Sequence, residues 1–145
     1  MLVCDAREED LPAIEALEQR CFSIPWTREM LLYQLTDPGH FFLAARDGDT
    51  VAGYIGVQHV LDEGYVTNVC TAPEYRRRGV GRALLEAALA RARQLELSFL
   101  SLEVRDGNVP ARGLYEAMGF HAVGRRKNYY EKPVEDAIIM TVQMK

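Results

Sequence analysis

The chain has 145 residues, of which 48% are apolar and 26% are charged. This length and composition fit one globular domain, residues 1–145, whose core needs no metal or disulfide. The net charge of -4 and the isoelectric point near 5.4 argue against a general nucleic-acid binder. Residues 76–93 nevertheless carry six arginines against one glutamate, which indicates a localised anionic ligand.

The first third of the chain predicts two helices separated by an aromatic loop. Residues 9–22 keep apolar side chains at helical spacing. Thr27 is expected to cap a second helix, which ends at residues 37–39. The loop at residues 22–27 contains Trp26, the only tryptophan of the chain. This loop can form the wall of a substrate site, or Trp26 can simply anchor it in the core.

The middle of the chain predicts a hairpin followed by a crossover between parallel strands. A helix with alanine and leucine on one face separates the third strand from the fourth, an order that is typical of parallel pairing. The predicted strands are residues 41–46, 50–60, 65–71 and 99–104, with turns at residues 47–49 and 62–64.

The last third predicts one more helix and two closing strands. Asn108 and Pro110 begin the helix, and Gly119 ends it in a left-handed conformation. Residues 120–124 and 137–144 are the closing strands, and the stretch between them is polar and aromatic. Together these elements predict an α/β fold in which a mixed sheet carries helices on its faces.

The cysteines and histidines show neither metal-site spacing nor a disulfide pattern. An odd number of widely separated cysteines fits free thiols in a reducing compartment. There is no apolar signal segment, and no run approaches the roughly 18 apolar residues of a membrane span. We therefore expect a cytoplasmic protein without a metal. The residues concerned are Cys4, Cys21, Cys70, His40, His59 and His121.

The stretch from Arg76 to Arg82 joins a predicted strand to a predicted helix. Gly79 and Gly81 let consecutive amides converge on an anion, and the helix that starts just after them adds its positive end. The pattern is not a P-loop or a dinucleotide fingerprint, because Arg82 and Leu84 stand where those motifs need lysine and glycine. The stretch predicts a pyrophosphate cradle. The alternative is a glycine turn whose arginines are only solvated.

Several motifs accompany this stretch and extend over nearly the whole chain. The spacing Arg76-x-x-Gly79-x-Gly81 resembles the acyl-coenzyme A motif of the GNAT N-acetyltransferases. Its companions are residues 68–71, Leu102 to Val104, and Asn108, Ala111, Leu114, Tyr115, Gly119 and Phe120. More narrowly, the chain is similar to the RimI-type ribosomal-protein alanine N-acetyltransferases at residues 22–26, 102–105, 126–130 and 135–140. The resemblance implies a single-domain GNAT-like fold with a mixed, mostly antiparallel central sheet and helices on both faces.

The resemblance also implies a chemistry, with acetyl-CoA as cosubstrate. Glu103 would be the general base and Tyr115 the general acid for direct attack of an amine on the thioester. The alternatives are a solvent-facing carboxylate on an edge strand for Glu103 and a packed helix aromatic for Tyr115. Implied coenzyme contacts are the backbone of Val69, Cys70 and Thr71, together with Arg77, Arg78, Gly79, Val80, Gly81, Arg82 and Asn108.

In the resembled family the acceptor is the N-terminal alanine of the eighteenth small-subunit ribosomal protein. The N-terminal peptide of that protein is thus the expected partner. Other protein N-termini, lysines or small amines stay open as acceptors, and so does a non-catalytic module that binds coenzyme A. We expect no direct nucleic-acid or membrane contact, and a monomer or weak dimer.

Overall fold

The computed structural model describes every residue from Met1 to Lys145. The strands are β1 (Leu2–Asp5), β2 (His40–Asp47), β3 (Thr50–Val60), β4 (Glu63–Thr71), β5 (Phe99–Arg105), β6 (His121–Tyr130) and β7 (Glu135–Gln143). The helices are α1 (Leu11–Cys21), α2 (Arg28–Thr36), α3 (Val80–Gln94) and α4 (Val109–Ala117). Short 3₁₀ turns lie at Glu8–Asp10 and Pro73–Tyr75.

All strands belong to one mixed sheet in the order β1-β2-β3-β4-β5-β7-β6. Only β4 and β5 pair in parallel, and α3 connects them as the crossover helix. The other neighbours pair antiparallel. The predicted crossover and the mostly antiparallel sheet are therefore confirmed.

Helices cover both faces of the sheet because its strands alternate apolar side chains between two cores. Phe41 and Leu43 of β2 join the larger core under α3, together with Leu84 and Leu100. Phe42 and its neighbours on the opposite face join the smaller core under α1 and α2. The predicted α/β class with helices on both faces is confirmed. None of the helices is long and apolar enough to cross a membrane.

The predicted helix boundaries are largely confirmed by their capping residues. The Thr27 hydroxyl accepts a hydrogen bond from the Met30 amide at 3.2 Å and starts α2. Gly119 follows α4 with a φ of 97°, in the left-handed region that ends many helices.

The sequence-based prediction placed the turn before β4 two residues too late. The chain turns at Leu61, whose φ is 55°, and β4 already begins at Glu63. Glu63 and Gly64 pair with Phe99 and Leu100 of β5. The sequence predicts Gly64 as a turn residue. In the structure it allows close packing, because a Cβ there would collide with side chains beneath the sheet.

Two edge strands were also missed or shortened. β1 was not predicted, and β6 was predicted to end at Gly124 but continues to Tyr130. β6 is the last strand of the sheet, and its side chains are exposed almost throughout, so the sequence lacks the alternation that marks a half-buried strand. Its pairing with β7 shifts register between Ala122 and Gly124 and again between Arg126 and Tyr130.

A buried ion pair fastens the start of α1 to the sheet. The Arg46 guanidinium of β2 holds both carboxylate oxygens of Asp10, with Nη1 at 2.6 Å from Oδ1. The Arg7 amide also donates to Asp10, at 2.8 Å. Burial tends to raise the pKa of this carboxyl, but the bonds from Arg46 and Arg7 outweigh it and lower the pKa below its ordinary value.

Candidate active site

A cleft opens where the two parallel strands part. β4 and β5 are paired only from Glu63 to Tyr65 and from Phe99 to Ser101. Beyond these pairs lies a cleft of about 700 Å³. The β4 edge beyond these pairs, from Val66 to Thr71, has no strand partner on this side, and its first part, Val66 to Val69, lines the cleft. Its unpaired backbone groups are available to a ligand. A cleft beyond the carboxyl ends of parallel strands is the usual ligand site of α/β folds.

Both faces of the sheet contribute side chains to this cleft. Leu102 and Val104 of β5 pack into the core under α3, so Glu103 between them lies on the opposite face. Tyr115 approaches from α4, on the side of the larger core. Both line the cleft. Its outer walls are the loop between α1 and α2 and the turn between β6 and β7.

The predicted cradle begins with two residues in the left-handed region. Arg77 has a φ of 62° and Gly79 a φ of 82°. α3 begins at Val80, so Gly81 lies in the first helical turn and not before the helix as predicted. No side chain caps the first-turn amides of α3, which therefore keep their donors free for an anion.

The glycines of the cradle differ in the space around them. A Cβ at Gly79 would meet nothing within 4 Å, so the backbone there is open to a ligand. A Cβ at Gly81 would lie 3.2 Å from Leu114 of α4, so Gly81 permits close packing of the two helices. Arg77 and Arg78 are exposed and make no ion pair, whereas Arg82 pairs with Glu86 at 3.0 Å. The free amides and the unpaired arginines are the groups of the cradle that could hold an anion.

Val69, Cys70 and Thr71 form the end of β4. One edge of this segment pairs with Ile55 to Gly53 of β3, and the other has no strand partner. Val69 lines the cleft, whereas Cys70 and Thr71 lie beyond its lining. The Cys70 side chain is buried, and this burial raises the pKa of its thiol. Cys70 therefore offers a backbone group and a small packed side chain, not a reactive thiolate.

Asn108 and Tyr115 are placed by α4. The Asn108 Oδ1 accepts a hydrogen bond from the Ala111 amide at 3.3 Å, which caps the helix, and its side chain also lines the cleft. Tyr115 is 7% exposed and packs against Phe120 with ring centroids 5.9 Å apart. Burial raises the pKa of Tyr115 to about 12. Its hydroxyl is therefore protonated throughout the physiological range and can donate a proton.

Glu103 lies on an interior strand and has a charge partner on β6. β5 lies between β4 and β7, so Glu103 is not on an edge strand. Its Oε2 is 3.2 Å from Nε of Arg126 on β6, which forms an ion pair. The same oxygen is buried and accepts no hydrogen bond from any protein group. Arg126 is therefore the charge partner of the buried oxygen, and Glu103 also lines the cleft.

Two tyrosines of β6 stand next to this carboxylate. Burial raises the pKa of Tyr130 to about 12, and the negative charge of Glu103 adds to the effect. Burial and Glu103 likewise raise the pKa of Tyr129. Both side chains line the cleft, so the surroundings of Glu103 are phenolic and partly shielded from water.

Arg105 holds the turn between β6 and β7 against β5. Its Nη1 donates to the Pro133 carbonyl at 2.9 Å, and its Nη2 donates to the Glu131 carbonyl at 3.0 Å. The same guanidinium lies over the Tyr130 ring, 4.5 Å from the centroid, and pairs with Glu135 at 3.2 Å. This wall of the cleft is therefore fixed to the strand that carries the candidate base.

Sequence reasoning missed the residues that shape the outer walls. Arg105 and Arg126 were noticed only within the family resemblance, and Glu18 of α1 only as one position of the helix predicted at residues 9–22. Their partners lie far away along the chain, so no spacing rule links them. The sequence left two interpretations of Trp26 open. Trp26 packs against the smaller core and also lines the cleft, and its role in a substrate wall stays a prediction.

Comparison with known proteins defines the class to which this fold and cleft belong. A sequence model of the acetyltransferase (GNAT) family matches residues 11–120. The chain belongs to this family. The crystal structure of Arabidopsis thaliana NAA60 in complex with acetyl-CoA has the same fold, with a TM-score of 0.88 and 19% identity over 99% of each chain.

The predicted narrower resemblance is confirmed as well. The [ribosomal protein bS18]-alanine N-acetyltransferase of Escherichia coli (strain K12) is 37% identical over 135 residues, which cover 92% of this chain and 90% of that protein. The crystal structure of the ribosomal-protein-S18-alanine N-acetyltransferase from Escherichia coli superposes with a TM-score of 0.93 at 33% identity. That superposition covers 99% of this chain and 94% of the other.

Proposed function

We propose that this protein transfers the acetyl group of acetyl-CoA to the N-terminal alanine of ribosomal protein bS18. Family membership supports the reaction class, and the names of the Escherichia coli relatives support this acceptor. The observation that carries the proposal is the cleft itself, which the Glu103 carboxylate and Tyr115 line from opposite faces of the sheet. An incoming amine would approach the Glu103 carboxylate from this cleft.

The coenzyme side of the proposal follows from the free β4 edge and the cradle. Acetyl-CoA supplies an activated acetyl thioester to the cleft. The backbone of Val69, Cys70 and Thr71 would pair with its extended arm, and Asn108 would contact the same arm. The pyrophosphate would be held at the start of α3 by backbone amides and arginine side chains. The residues concerned are Arg77, Arg78, Gly79, Val80, Gly81 and Arg82.

Glu103 would serve the amine. The pKa of an α-amino group is about 8, whereas that of a lysine is about 10.4. An N-terminus is therefore partly neutral at pH 7, and a lysine is almost wholly protonated. Glu103 takes the proton that the nitrogen loses as the carbon–nitrogen bond forms. Because β5 is an interior strand of the sheet, the backbone that carries Glu103 is held in place on both sides.

Tyr115 would serve the leaving sulfur. The carbon–sulfur bond breaks with both electrons moving to sulfur, and the Tyr115 hydroxyl supplies the proton that yields the free thiol. Burial keeps this hydroxyl protonated, since its pKa is raised to about 12. Its packing against Phe120 limits the ring to one orientation.

The test is release of free thiol from acetyl-CoA with a panel of acceptors. The panel contains a peptide beginning Ala-Arg, the same peptide with a blocked N-terminus, a lysine peptide and small amines. Turnover only with the free alanine terminus is the expected result. Turnover with lysine or small amines would replace the proposed acceptor, and tight coenzyme binding without any turnover would indicate a binding module. A cytoplasmic monomer or weak dimer belongs to the same proposal.

A further inference from the structure

Glu18 is a buried carboxylate without a counter-ion. It lies on α1, its exposed fraction is 0%, and no arginine, lysine or histidine pairs with it. A buried carboxylate without a cation is unfavourable for folding, and an apolar side chain of similar size would usually pack there more favourably. Its place beside the cleft suggests a role other than stability.

The two oxygens of Glu18 bind groups from different walls of the cleft. The Trp26 amide, in the loop between α1 and α2, donates to Oε2 at 3.2 Å. The Asn68 side-chain amide, on β4, donates to Oε1 at 3.2 Å. One carboxylate therefore links the outer loop to the strand whose edge faces the cleft.

The Asn68 contact continues into a short series of partly buried hydrogen bonds. Gln34 of α2 donates from Nε2 to the Thr67 hydroxyl at 2.9 Å, and this hydroxyl donates to Asn68 Oδ1 at 2.9 Å. Thr67 is the bulged residue of β4, because Gly56 pairs with Asn68 while the next residue of β3 pairs with Val66. The donors follow one another from Gln34 through Thr67 to Asn68, and the series ends at Glu18, which as a carboxylate can only accept.

We propose that Glu18 is a positioning residue for the acceptor, rigidly joining the loop at Trp26 to the bulge at Thr67. This inference rests on the proposed acetyl transfer. It states that Glu18 fixes the width of the cleft at the end where the acceptor would bind. Loss of the carboxylate frees the loop and the Asn68 amide, which weakens acceptor binding. The cradle and the coenzyme edge at Val69 to Thr71 keep their own contacts.

The deciding variant is Glu18→Met, which keeps the length of the side chain and removes both acceptors. The Michaelis constant for the Ala-Arg peptide should rise about tenfold, whereas that for acetyl-CoA should change less than about twofold. Glu18→Gln retains one acceptor oxygen, so its peptide constant should rise only about threefold. Thermal unfolding of each variant shows whether it is folded at the assay temperature.

Glu15→Met is the matched control, because Glu15 lies on the same helix and pairs only with Arg28 at the surface. It should leave both constants unchanged. Equal rises in both constants for Glu18→Met, or no rise in a folded variant, would overturn the inference. If Glu18→Met does not fold, Asn68→Ala cuts the same link from β4 and must show the same split between the two substrates. Absence of turnover in the wild type would instead refute the proposed function.

Discussion

The two sides of the cleft, proposed above to bind the coenzyme and the acceptor, are built in different ways. The coenzyme side consists of consecutive elements, from β4 through α3 and β5 to α4, and its shape comes from local backbone conformation. The acceptor side combines the loop after α1 with the turn after β6, which side-chain contacts over long sequence distances hold in place. A change on one side should therefore alter the handling of one substrate and spare the other.

The largest effect on kcat should come from Tyr115, because it is proposed to act at the reacting thioester, where the coenzyme and the acceptor meet. Tyr115→Phe removes the proposed acid, so kcat should fall by about 10² to 10⁴. The dissociation constant of acetyl-CoA, measured by calorimetry, should stay near that of the wild type. Weakened coenzyme binding as large as the loss of rate would make Tyr115 a packing residue of the larger core.

A comparably large effect on stability should arise outside both sides, at the Asp10–Arg46 pair. Arg46→Gln leaves Asp10 buried and unpaired, which should lower the free energy of unfolding by about 3 kcal/mol at pH 7 in urea denaturation. Arg28→Gln breaks a surface pair with Glu15 and should cost at most about 1 kcal/mol.

The Asp10 pair also has a defined pH dependence. The pKa of Asp10 in the folded protein lies below its unfolded value, so the stabilisation is complete above about pH 4 and is lost as the pH falls through the lowered folded value. The difference between wild type and Arg46→Gln should therefore narrow from pH 5 to about pH 3. A constant difference across this range would show that Arg46 acts through packing alone.

Removing one arginine charge from the cradle tests the coenzyme side of the comparison. Arg77→Gln or Arg78→Gln should each weaken acetyl-CoA binding about tenfold, because each loses a charge-assisted contact to phosphate. The peptide Michaelis constant should not change. Arg93→Gln is the control, since Arg93 is exposed at the other end of α3 and makes no ion pair. Equal weakening in all three variants would mean that only the overall charge matters.

The smallest effect should appear on the acceptor side. Arg105→Gln loses at least one of the carbonyl contacts that hold the turn between β6 and β7, so the peptide Michaelis constant should rise about fivefold. Acetyl-CoA binding should be unaffected. A rise in the coenzyme constant instead would place the role of Arg105 in the link from Glu135 to the Gly107 amide, next to α4.

The same contrast explains how far the sequence could be interpreted. The crossover, the caps at Thr27 and Asn108, and the glycine turn before α3 depend on local rules, and the structure has each of them. The family resemblance added Glu103 and Tyr115, and both line the cleft. The contacts of Glu18 and Arg105 depend on which distant segments meet, and no periodicity or motif encodes such meetings. β6 was shortened for a related reason, because an exposed edge strand carries no alternation.

The irregular path of β6 has a consequence for the protein in solution. A strand at the rim of a sheet offers unpaired backbone groups to any other extended chain, and a long regular rim invites intermolecular β-sheet growth. Here the rim is interrupted by two register shifts and carries three consecutive cations, Arg125, Arg126 and Lys127. Two copies approaching edge to edge would meet mismatched backbone spacing and charged side chains. The strand that completes the acceptor wall therefore also discourages self-association into fibrils.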